Sequence, residues 1–114
     1  MGEILGIARI NVPPGKLEEY KRLAARCMES VRTKDSGTLQ YDLYFSESRS
    51  EFIVLERYRD SEAVLEHVAN LGETMGEISS IAAISGEILG SPSPELRKGL
   101  EAHGVGIYSL FQSM

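Results

Sequence analysis

Two side chains in this 114-residue chain have the chemistry of a proton-transfer pair, His67 and Glu56. His67 stands in the run Glu62-Ala63-Val64-Leu65-Glu66-His67-Val68. It is three residues after Val64 and one before Val68, so on a helix it borders the apolar face. Imidazole titrates near neutrality, which suits a base or a hydrogen-bond donor to a bound oxygen atom. The plainer reading is a partly buried histidine bonded to backbone. Glu56 follows Phe52-Ile53-Val54-Leu55 and shares the parity of Phe52 and Val54. If those two face a helix layer, the carboxylate points the same way and needs a partner. Arg57 is not that partner, because the adjacent position faces the other side. Glu56 would then orient His67 or bind substrate; otherwise it is an exposed residue at a strand end.

Fewer signals attach to the other candidates. Tyr41 and Tyr44 fall on opposite faces of one strand, so at most one lines a given pocket; Tyr44 is taken as the pocket wall, with ordinary packing as the plain reading of both. Arg9 shares its parity with Asn11, which reads as a turn residue before Pro13. Cys27 sits on a helical apolar stripe as core filler, and the dipole at a helix C-terminus accounts for His103. One cysteine excludes an intramolecular disulfide, and two histidines with one cysteine argue against a closed zinc site. No G-x-S-x-G, phosphate-binding loop, H-E-x-x-H or G-x-G-x-x-G occurs.

Composition narrows the partners. The net charge is −5, from 17 acidic and 12 basic side chains, with no long Lys/Arg run, so nucleic acid is not an expected partner. No 18-residue apolar run predicts a membrane span, and Met1-Gly2-Glu3-Ile4 lacks the basic start of a signal peptide. The expected compartment is the cytoplasm. At roughly 100–200 residues per domain, the chain is expected to be one domain, residues 1–114.

The elements that must position His67 and Glu56 follow from period and punctuation. Residues 3–12 are short and β-branched, which predicts a strand. Leu17, Tyr20, Ala24, Cys27, Met28 and Val31 trace one face of a helix over 14–34, with Pro14 in its first turn and Gly37 just past its end. Residues 38–46 and 51–58 read as a β-hairpin across a polar link. Asp60 caps a helix that Gly72 divides, and a strand follows over 81–90. Ser93-Pro94-Glu95 starts a last helix, His103-Gly104 ends it, and residues 105–111 predict a short strand. The order β-α-β-β-α-β, then α-β, predicts an α+β, ferredoxin-like fold with an antiparallel sheet and both main helices on one face.

The other face of that sheet is not polar. Leu5 and Ile7 oppose Ile4, Ala8 and Ile10, and Ile53 and Leu55 oppose Phe52 and Val54. A sheet apolar on both faces needs cover on both, and too little chain remains for a second layer. A homodimer with facing sheets is the economical inference, with the C-terminal helix and strand adding to the partner's sheet edge.

Tyr41-x-x-Tyr44, then Phe52-Ile53-Val54-Leu55-Glu56-Arg57-Tyr58-Arg59-Asp60, then Ala63-x-x-x-His67, resembles the antibiotic biosynthesis monooxygenase domain family. That family's pattern is a glycine-led strand, a hairpin, an apolar strand ending in Glu, an aromatic residue, and a His on the next helix. Gly37 and Tyr58 take the glycine and aromatic places. The match covers about residues 3–90, and 91–114 extend beyond it.

The resemblance implies a dimeric α+β barrel with a pocket between sheet and helices, and carries His67 and Glu56 over as catalytic positions. Its characterised members oxidise anthrones or quinols with molecular oxygen, without metal or flavin. It therefore implies an aromatic small-molecule substrate and no cofactor. A chain without tryptophan does not match the haem-degrading branch with its Asn-Trp-His set. The expectation is a cofactor-independent monooxygenase acting on a quinol or polycyclic phenol. His67 would be base or donor, Glu56 would orient it, and Tyr44 would line the pocket. Other members isomerise small phosphorylated sugars, which would use Arg9 for the phosphate. A binding or assembly module without catalysis is the third reading.

Overall fold

The computed structural model describes residues 2–114. Strand β1 (Ile4–Asn11) leads to helix α1 (Leu17–Lys34), the hairpin β2 (Thr38–Ser46) and β3 (Glu51–Tyr58), helices α2 (Ser61–Leu71) and α3 (Glu73–Ile81), and strand β4 (Ala83–Leu89). Helix α4 (Pro94–Ala102) and strand β5 (Gly106–Tyr108) complete the chain's regular elements. The strands form one sheet in the order β2-β3-β1-β4-β5. The first four are antiparallel, which is the ferredoxin-like arrangement.

Local chemistry sets the element ends. Asp60 accepts a hydrogen bond from the Ala63 N–H at 2.9 Å and starts α2. Gly72 divides α2 from α3 with φ at +53°, a backbone region that glycine enters without a Cβ clash. Ser93 caps α4 by accepting from the Leu96 N–H at 3.2 Å.

Two expectations need correction. Pro14 is not in the first turn of α1: the Lys16 N–H bonds to the Pro13 carbonyl, closing a separate turn, and the helix begins at Leu17. The C-terminal strand lies at the edge of the chain's own sheet, for which the sequence predicts antiparallel pairing throughout. It pairs in parallel with the chain's own β4, so the sheet is mixed, and it is shorter than residues 105–111. The reason is the packing of α4. Leu96 joins a buried cluster with Ala63 and Val64 of α2, which returns the chain beside β4.

Helices cover one sheet face and bury two apolar clusters. The first holds Ile10, Val12, Tyr20, Leu23, Cys27, Phe52, Val54, Leu71 and Ile78. The second holds Ile4, Tyr58, Ala63, Val64, Ile88 and Leu96. Strand register shows what lies between them. Ile4 pairs with Tyr58 in one cluster, Ala8 with Val54 and Ile10 with Phe52 in the other; the intervening pair is Gly6 with Glu56. The seam between the clusters is therefore where the sheet presents a carboxyl group opposite a residue with no side chain. On the uncovered face Leu5, Ile7, Ile53, Leu55 and Leu89 are half-buried, bordered by the ion pairs Arg9–Glu87 at 2.5 Å and Arg57–Glu3 at 2.9 Å.

Candidate active site

The seam gathers four elements around one imidazole. Helix α2 brings His67, and β3 brings Glu56, whose Oε1 stands 3.9 Å from His67 Nε2. That is beyond a hydrogen bond but within reach of one shared oxygen atom. The hydrogen-bonded partner of His67 is Asp35, at the end of α1: Nδ1 and Oδ2 are 2.8 Å apart. Thr38 Oγ1 donates to the same Oδ2 at 2.6 Å, and Asn70 Nδ2 donates to Oδ1 at 2.9 Å. On the Glu56 side, the Tyr58 hydroxyl donates to Oε1. The Tyr41 and Tyr58 rings each lie 5.4 Å from the imidazole, tilted by 54° and 55°.

Burial separates the two carboxyl groups in character. The Asp35 side chain is 1% exposed, yet it accepts three hydrogen bonds. Burial alone would raise its carboxyl; the bonds from Asn70, Thr38 and His67 outweigh that and hold it below the usual carboxylate range. Among the described residues Glu56 accepts from Tyr58 alone. Burial pushes its carboxyl up, against the opposing pull of Tyr58 and His67. The Tyr58 and Tyr41 hydroxyls are both pushed up, chiefly by burial, so both remain phenols. An ionised carboxylate and a carboxyl that resists ionisation thus flank His67 on its two nitrogens. Such divergent environments mark acid and base roles. Glu56 keeps 17% of its side chain exposed against 5% for His67, so the site meets solvent on the Glu56 side.

The structure brings His67 and Glu56 together and leaves Tyr44 and Arg9 elsewhere. Tyr41, paired in register with Glu56, is the tyrosine on the His67 side; Tyr44 pairs with Ile53 on the opposite face. There it borders a concavity of about 350 Å³ with Arg9, Phe45, Ser46, Arg49, Glu51 and Ile53. Arg9 is held by Glu87 on that face, with the sheet between it and His67. Cys27 is buried core filler, its thiol raised by burial. Asp35, Thr38 and Asn70 are members that sequence reasoning did not single out, and Tyr58 entered it only as the aromatic place of the family pattern. Asn70 lies one helical turn from His67, and Tyr58 two strand positions from Glu56, so spacing could have signalled both. No cluster of three or more metal-ligating side chains occurs among the described residues.

The model of the antibiotic biosynthesis monooxygenase family matches residues 4–72, which hold β1 through α2 and every side chain of this cluster. The chain belongs to that family. No protein of curated function matches it. MupZ from Pseudomonas fluorescens superposes over 100% of this chain and 94% of its own, at a TM-score of 0.87 and 23% identity. SnoaB, a cofactor-independent oxygenase from Streptomyces nogalater, was solved as a variant. It superposes over 82% of this chain and 96% of its own, at a TM-score of 0.69 and 12% identity. At these identities the likeness is one of fold. MupZ shares the fold through the C-terminal segment, beyond the part that the family model matches.

Proposed function

We propose that the chain is a cofactor-independent monooxygenase that oxidises a quinol or polycyclic phenol with molecular oxygen. Family membership supports the reaction class. The observation that carries the reading is the free Nε2 of His67, facing Glu56 across 3.9 Å, with Nδ1 occupied by Asp35. His67 takes the phenol proton on Nε2. The resulting phenolate is electron-rich enough to reduce oxygen by one electron, and the radical pair collapses into a carbon–oxygen bond. Glu56 supplies a proton to the peroxide, which loses water and leaves a carbonyl. A ring CH₂ and O₂ thus become C=O and H₂O, and no outside reductant is consumed. Tyr41 and Tyr58 provide aromatic walls, and exclusion of water keeps the phenolate reactive.

The working unit in this proposal is a homodimer. Five half-buried apolar side chains on the uncovered sheet face support it, because such a face is otherwise left to water. A second reading, acid–base isomerisation without oxygen, is favoured by the raised Glu56 carboxyl beside a base. Its phosphorylated substrate would lack the anchor assigned to it, since Arg9 is paired with Glu87 on the far face.

Oxygen uptake by metal-stripped protein with a panel of anthrones and naphthoquinols tests the proposal. Uptake above the uncatalysed rate that falls by about 10²–10⁴-fold in His67→Ala supports it. Undiminished uptake in that variant removes His67 from the mechanism.

A further inference from the structure

We infer that Asp35 is a positioning residue: it locks the His67 ring in orientation and tautomer, so that the basic lone pair lies on Nε2 and faces Glu56. The inference rests on the reading of His67 as the base. An ionised carboxylate accepts hydrogen bonds and donates none. The nitrogen 2.8 Å from Asp35 Oδ2 must therefore carry a hydrogen. In the neutral ring the lone pair is then left to Nε2, the nitrogen on the Glu56 side.

The Asp35 carboxylate is itself fixed. Oδ2 accepts from Thr38 and His67, and Oδ1 accepts from Asn70. His67 and Asn70 stand one turn apart on α2, so Asp35 grips that helix at two successive turns. The next residue repeats the attachment: the Ser36 N–H and hydroxyl donate to Glu66 at 3.0 and 2.9 Å. Gly37 then lets the strand approach closely, since a Cβ there would lie 2.5 Å from Ala63 Cβ. Three consecutive residues, Asp35-Ser36-Gly37, thus bind the α1–β2 corner to α2 around His67. A corner that served only to turn the chain would not need a carboxylate 1% exposed with three donors, one of them the imidazole.

Nitrogen-15 NMR of the histidine-labelled full chain, without substrate, reads the tautomer from the two ring-nitrogen shifts. The wild type is expected to show the neutral His67 ring protonated on Nδ1. In Asp35→Ala the ratio of Nδ1–H to Nε2–H forms should fall by about tenfold or more, the factor that a hydrogen bond to an ionised group is worth. A wild-type ring protonated on Nε2 overturns the inference, and so does an unchanged ratio in a folded Asp35→Ala. The wild-type measurement stands if that variant does not fold. Because no substrate is present, a failure of the monooxygenase reading in the uptake assay leaves this result intact.

Discussion

Replacing Glu56 by Gln should stabilise the protein above pH 5 while disabling it. Glu56 sits at the seam between two apolar clusters, with one hydrogen bond from Tyr58 and Asp35 close enough to oppose its ionisation. Gln keeps an acceptor for the Tyr58 hydroxyl and removes the charge that burial resists. The hydrogen bond weakens on losing a charged acceptor, by about 1 kcal/mol. The relief of leaving a buried group uncharged is about 2 kcal/mol, in the range for burying poorly compensated polar groups. The net gain is about 1 kcal/mol. With an unfolding entropy of about 2.1 cal/mol/K per residue over 114 residues, that is a rise in Tm of about 4 °C.

The sign changes with pH in a defined way. A raised folded-state carboxyl carries a stability penalty that is full above its folded pKa and absent below the unfolded value, about 4.3. The advantage of Glu56→Gln should therefore shrink as pH falls and vanish below about pH 4. Urea unfolding from pH 4 to 8 reads this directly. A variant less stable than wild type at neutral pH would refute the reasoning, because Glu56 would then be a stabilising anion rather than a buried acid.

Further outcomes follow from the same geometry. Asp35 should show the opposite pH behaviour: its depressed carboxyl contributes stability that is present above the unfolded value, about 3.9, and lost as pH falls through the folded pKa. Acid-induced unfolding should therefore be shallower in Asp35→Asn, by circular dichroism below pH 4. Gly37→Ala places a Cβ 2.5 Å from Ala63 Cβ, so the corner must move off α2; a loss of about 1–3 kcal/mol in urea unfolding is expected. Ile53→Arg puts a charge in the apolar band of the uncovered face and should halve the mass seen by light scattering without changing the circular dichroism.

The elements were legible because period and punctuation agree along most of the chain. The Asp60 and Ser93 caps, the Gly72 break and the 38–58 hairpin all stand where spacing predicts them. Parity also gave the sense in which Glu56 points, and the helical offset from Val64 put His67 toward the core. On β2 the apolar parity is that of Leu39, Tyr41, Leu43 and Phe45, so the pattern pointed to Tyr41 rather than Tyr44 for the His67 side, as the structure has it. Arg9 lies on the far face because β1 is apolar on both parities and does not show which side the helices take. Asp35 was hidden for a different cause. Its bond to His67 spans 32 positions and depends on how the α1–β2 corner folds over α2. In sequence, Asp35-Ser36-Gly37 has the composition of an ordinary turn. The destination of β5 was equally tertiary, set by where Leu96 finds a core to join.

The most direct test of the central claim is the fate of labelled oxygen. Turnover of an anthrone or naphthoquinol under ¹⁸O₂ should place one heavy atom in the new carbonyl of the product and the other in water, with incorporation lost in His67→Ala. A product that carries no label, or a rearranged substrate of unchanged mass formed without oxygen, would contradict the monooxygenase account.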